Sequence, residues 1–339
     1  MTTNTLARAQ TQVRATSATH SLGFDWLMTL LSVWFVGGLF VDGWAHTHDQ
    51  VDQSFFTPWH AILYSGWMVV AFFLVTHALV RRAHGNTWRT ALPQGYFPSL
   101  IGAVGFGIGG LGDMAWHIAF GIEKGTEALL SPTHLVLAVS MGLIASGPLR
   151  AQIKESRAGF VQQLPAVVSL ALALSVVTFF TQATHPVAQL WGTRNWHNYQ
   201  SDDFAATALL LGGATFAAAT LFALKLGKPV PGAFTLIFGL NAFAMGYVNG
   251  DSYPQTAVWA FVIGGLVLDV ACAALTRVRP STRASVLAAL TPAVLLGAYF
   301  VSVHFLLSGL AWRIHFWMGI LVMTALGGLL LSKLNNRPE

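Results

Sequence analysis

Two stretches of the chain set carboxylates and imidazoles at matched intervals. "GGLFVDGWAHTHDQVDQSFFTPWHAILYSG" (37–66) and "GGLGDMAWHIAFGIEKGTEALLSPTHLVLAVSMG" (109–142) share Gly-Gly-Leu, then Asp-x3-His, then Ser or Thr, Pro, one residue and His. Asp42 and His46, like Asp113 and His117, are four residues apart, so on a helix they project from one face, one turn above the other. Thr57-Pro58 and Ser131-Pro132 read as an N-cap followed by proline at the first helical position, starting a new helix just before His60 and His134. Each copy therefore describes a pocket of one carboxylate and two imidazoles. Such a donor set suits copper, iron or zinc, with copper and zinc leading, whereas magnesium and calcium prefer oxygen alone.

The elements that must position these residues are membrane helices. Of 339 residues, 54% are apolar and 9% charged, against about 25% charged in soluble proteins. Runs of the ~20 apolar residues needed to cross ~30 Å of hydrocarbon recur along the whole chain. The pattern predicts ten spans, at about 22–46, 58–80, 98–120, 132–150, 161–184, 204–225, 230–249, 255–276, 285–307 and 311–332. The expected fold is an all-α integral membrane protein. Residues 1–21 form a polar tail, 22–150 the duplicated two-helix units, and 151–339 a six-helix remainder of the same membrane domain. The tail lacks the apolar core and cleavage site of a signal peptide, so the first span is expected to act as an uncleaved anchor.

Basic residues alternate by loop, and 15 of the 18 fall on one side of the ten-span pattern. The positive-inside rule then places both termini in the cytoplasm. This alternation, rather than nucleic-acid affinity, accounts for the net charge of +5. The same topology puts the Asp/His pockets outside, together with His48, His185, His197, His304 and His315 as supplementary ligand candidates. Because each unit starts from the cytoplasmic side, the copies are expected to be parallel repeats about an axis along the membrane normal. A single cysteine, Cys272, excludes disulfides and cysteine-based clusters.

A lone interfacial histidine is more often a hydrogen-bonded side chain than a ligand, and His185, His197, His304 and His315 individually fall under that reading. The paired constellations do not, because an Asp one turn inside a span is costly unless paired or functional. Asp–His hydrogen bonds between helices are the competing explanation. "GFGIGG" (105–110) satisfies a dinucleotide-binding pattern but lies within a span without a preceding strand, and reads as helix packing. Asp25 and Asp269 fall in the cytoplasmic halves and read as structural partners of nearby polar groups.

Asp-x3-His with a further His at the start of the next span resembles the copper-binding motif of the membrane-embedded C subunit in particulate methane and ammonia monooxygenases. The resemblance carries Asp42, His46 and His60, or Asp113, His117 and His134, onto the three copper ligands. This chain departs from the family in duplicating the motif, lengthening the gap to the last His and having more spans. As a whole it is similar to polytopic membrane proteins of bacteria, which implies a bacterial inner membrane; the positive-inside topology then puts the site on the periplasmic side. Three functions stay open. One is a copper- or iron-dependent oxidoreductase acting on a small apolar or membrane-dissolved substrate. Another is a zinc-dependent hydrolase with Glu123 or Glu127 as general base. The third is a non-enzymatic metal transporter, sensor or subunit of a larger membrane assembly. Lipid is the expected surrounding partner, and nucleic acid is not expected.

Overall fold

A backbone surrounded by hydrocarbon must satisfy its own N–H and C=O groups, and helices do so within one segment. The computed structural model describes residues 21–50, 56–121, 125–196, 202–250 and 254–335. Among these, the regular structure is helical: α1 (Leu22–Thr47), α2 (Pro58–Ala83), α3 (Phe97–Phe120), α4 (Thr126–Leu130), α5 (Pro132–Ala145), α6 (Gly147–Glu155), α7 (Phe160–Phe180), α8 (Pro186–Gln189), α9 (Asp202–Leu224), α10 (Ala233–Val248), α11 (Gln255–Ala274), α12 (Pro280–Leu306) and α13 (Ile314–Asn335). Large apolar side chains such as Leu30, Phe72, Ile118, Val270 and Phe305 point outward, while Asp25, Asp42, Asp113 and Asn241 are buried. This reversal of the soluble pattern is that of a membrane protein.

Eight of these helices are long and apolar enough to cross a membrane, rather than the ten expected. The fourth apolar run is broken between α5 and α6, which meet at 40°; counted as one span, they raise the number to nine. The break falls at Ser146-Gly147-Pro148, where proline supplies no N–H and Gly147 lies under the Tyr96 ring. The seventh run yields only the 16-residue α10, about 24 Å long at 1.5 Å per residue. Its start is fixed by Asp269 of α11, whose carboxylate accepts the N–H groups of Phe234 (3.1 Å) and Thr235 (3.0 Å).

α1 packs along α2, and α3 along α5; α7 lies against α1, α5 and α6 and also meets α9 and α10. Glycines make these approaches close. Along α3, Gly102 and Gly105 lie against Ser140 of α5, while Gly107 and Gly110 leave room for Trp67 and Tyr64 of α2. At the helix ends remote from the two Asp/His groups, Asp25 is buried and accepts from Tyr96 Oη (2.5 Å) and from Arg157. Arg150 donates to the Gly95 carbonyl (2.7 Å), Ser99 Oγ (2.8 Å) and the Leu143 carbonyl (2.8 Å), tying α6 to α3 and α5. Asp25 and Asp269 thus have the structural partners expected of them.

Candidate metal centre

Asp42 and His46 occupy the last turns of α1, and His60 the first turn of α2. His46 Nε2 lies 3.9 Å and His60 Nε2 3.6 Å from Asp42 Oδ2. The second group repeats this arrangement. His117 Nε2 is 3.3 Å from Asp113 Oδ2, and His134 Nε2 is 3.6 Å from Asp113 Oδ1. In both groups the two imidazole centroids are 5.7 Å apart, and all three ligand atoms lie within 4.8 Å of one another. Donors about 2.1 Å from one tetrahedral ion are separated by about 3.4 Å, so these gaps fit a common ion better than direct hydrogen bonds at about 2.9 Å.

Helix capping sets the imidazole orientation. Thr57 Oγ1 accepts the His60 backbone N–H (3.1 Å) and contacts its Nδ1 (3.0 Å). Ser131 Oγ accepts the His134 N–H (3.4 Å) and contacts its Nδ1 at 2.6 Å. One hydroxyl thereby satisfies a free helix-end donor and steers the ring so that Nε2 faces the carboxylate. An Nδ1–H donated to that oxygen leaves the Nε2 lone pair for an ion. The helix packing below is matched as well. Gly38 and Gly109, each four residues before its Asp, lie against Leu63 and Leu137, each three residues after its His. Phe35 and Phe106, each seven residues before its Asp, meet edge to face at 4.8 Å.

The groups differ at the carboxylate. Asp113 Oδ1 accepts a hydrogen bond from Thr133 Oγ1 (2.8 Å), whereas Asp42 Oδ1 is buried with no hydrogen-bond partner among the described residues. A buried carboxylate oxygen left in this state is costly. A cation among Asp42, His46 and His60 would remove that cost, so the residues present fit a metal. The groups are also close enough that Asp113 acts electrostatically on Asp42, and Asp113, His117 and His134 act on both His46 and His60.

The supplementary candidates lie elsewhere. His48 stacks on Trp44 (4.8 Å), contacts Thr47 Oγ1 through Nδ1 (3.0 Å) and presses Nε2 against Gly250. His185 is fully buried: its Nδ1 accepts the Val187 N–H (3.2 Å), so Nε2 donates to Asn241 Oδ1 (3.1 Å). Asn241 in turn donates to Thr178 Oγ1 (2.7 Å). Desolvation lowers the His185 pKa to about 3, which keeps the ring neutral. His304 and His315 are exposed, the former against Phe305 (4.5 Å). Glu127 is exposed on α4 and belongs to neither group. His197 and Glu123 lie outside the described residues.

Sequence reasoning passed over Thr133, Tyr64 and the second role of the two capping hydroxyls. For the caps a signal was present, since a hydroxyl three residues before a helical His can reach both its N–H and its ring. Comparison with protein-family models, curated proteins and solved structures gives no match. The chain is therefore defined by its own geometry: a helical membrane protein with two Asp/His triads that could bind a metal ion.

Proposed function

We propose that this chain is a metal-dependent integral-membrane oxidoreductase, with copper as the metal and a small apolar or membrane-dissolved substrate. The observation that carries the reading is the buried Asp42 Oδ1, without a hydrogen-bond partner among the described residues, set in a group whose imidazole nitrogens stand 3.6 and 3.9 Å from the same carboxylate. Asp42, His46 and His60 would hold, together with Asp113, His117 and His134, one ion or a close pair. Bound there, copper would supply one-electron chemistry toward oxygen. The protein's own part is orientation. Thr57 and Ser131 aim the imidazoles, Thr133 fixes Asp113, and the rings of Phe35, Phe106 and Trp67 close the helix interior below.

That aromatic floor disfavours transport, which needs polar groups continuing across the membrane. In the same reading the bent α5–α6 pair and the short α10 each cross the membrane, so the spans number ten, the two units are parallel repeats, both termini are cytoplasmic, and the triads face the periplasm of a bacterial inner membrane. The triads form one shared centre, because two buried carboxylates are less costly with a divalent cation between them. The test is oxygen uptake and product analysis by the copper-loaded protein in lipid nanodiscs, supplied with a quinol reductant and short alkanes or alkenes. Oxidised substrate is expected from the wild type and not from Asp42→Asn or Asp113→Asn. Turnover equal in wild type and both variants, or copper-loaded wild type that oxidises none of them, would refute the proposal.

A further inference from the structure

Tyr64 belongs to neither triad, yet it sits beneath both. It follows His60 by one turn on α2, with ring centroids 6.3 Å apart. Its hydroxyl reaches across to α3 and lies flush on Gly110, where an added Cβ would stand only 2.8 Å from Oη. Gly110 is itself one turn before Asp113. The ring is held by Phe106 (5.7 Å) and Trp67 (6.3 Å), and Trp67 is anchored by Nε1 donating to the Ala103 carbonyl (2.8 Å). The carboxylates of Asp42 and Asp113 both act on the phenol through space. The corresponding positions in the other pair are Ala138, four residues after His134, and Leu39, three before Asp42. The matched units thus break their symmetry here, and a phenol is supplied from one side only.

We propose that Tyr64 is a positioning residue of the metal centre, its hydroxyl donating a hydrogen bond to a small oxygen- or nitrogen-donor ligand bound between the two triads. Packing locks the ring, so the O–H is aimed before the ligand arrives. Such a preset donor needs no reorganisation when the ligand binds. Gly110 is the complementary requirement, because any side chain there would displace the hydroxyl.

The inference rests on the metal-binding reading, and cobalt(II) with azide as the probe ligand separates the two. Cobalt binding and azide binding are each followed by the visible spectrum of the detergent-purified full chain. Tyr64→Phe should take up cobalt as the wild type does, with azide affinity lowered about tenfold or more, the value of a hydrogen bond to a charged acceptor. Gly110→Ala keeps the phenol but moves it, and should lower azide affinity similarly; it carries the test if Tyr64→Phe does not fold. Normal cobalt uptake with azide affinity within twofold of the wild type would overturn the role of Tyr64 and leave the metal site standing. Loss of cobalt from Tyr64→Phe would also overturn it, by making the phenol a ligand or a structural support. A wild type that binds no cobalt would overturn the metal reading itself.

Discussion

Replacing Ser131 by glycine separates two jobs that one hydroxyl performs. Its Oγ caps α5 by accepting the His134 N–H at 3.4 Å, and it steers His134 through the 2.6 Å contact with Nδ1. Glycine is itself a tolerable N-cap, costing only a few tenths of a kcal/mol relative to serine. The contact to the imidazole has no such substitute. Losing the outer partner of a metal-bound histidine lowers metal affinity about 10- to 100-fold, or roughly 1.4–2.8 kcal/mol. Ser131→Gly should therefore melt within about 1 °C to 2 °C of the wild type without metal, since a few tenths of a kcal/mol is a small fraction of ~1 kcal/mol per several degrees. Its metal affinity, measured by chelator competition, should fall by at least tenfold. Ser21→Gly is the control: Ser21 caps α1 by accepting the Phe24 N–H (3.3 Å) but steers no ligand, so metal affinity should not move. Metal affinity of Ser131→Gly within twofold of the wild type would refute the claim that the cap orients a ligand.

Other perturbations test the scaffold. Arg157→Ala leaves the buried Asp25 carboxylate without its cation and should cost about 3–5 kcal/mol in detergent unfolding; a change below about 1 kcal/mol would contradict a structural role for the pair. Gly38→Ala puts a Cβ 2.7 Å from Leu63 Cα, backbone that cannot turn aside. It should destabilise by about 1–3 kcal/mol and weaken metal binding, whereas unchanged chelator competition would show that this contact does not set the Asp42–His60 spacing. His185 has a folded pKa of about 3 against an ordinary value of 6.5, so the unfolded chain takes the proton first. Its contribution is complete above pH 6.5 and is lost as the pH falls toward 3, by about 1.4 kcal/mol per pH unit. His185→Gln should flatten that acid limb, and an acid limb of unchanged slope would refute the assignment.

The site was legible because its spacing is local. Asp-x3-His places two donors on one helical face, and Thr57-Pro58 and Ser131-Pro132 announce where the next helices begin. What hydropathy alone did not show was where the helices break. Gly147 and Pro148 do not interrupt an apolar average, yet they bend the fourth run, and the short α10 owes its start to Asp269, 35 residues away in sequence from Phe234. Long-range partners also decided the fate of the extra histidines. Nothing near His185 announces Asn241, 56 residues on, and nothing near His48 announces Gly250. Thr133 beside His134 was unremarkable until α3 brought Asp113 within 2.8 Å of it. Tyr64 read as an ordinary helical aromatic, because its significance lies in Gly110 of the neighbouring helix.

The most direct test of the account is elemental analysis of the detergent-purified, well-folded protein, comparing the wild type with the Asp42→Ala/Asp113→Ala double variant. The wild type should hold one or two transition-metal ions per chain, copper foremost, and the folded double variant should hold none. A folded double variant that is as fully loaded as the wild type would show that the two Asp/His triads are not where the metal binds.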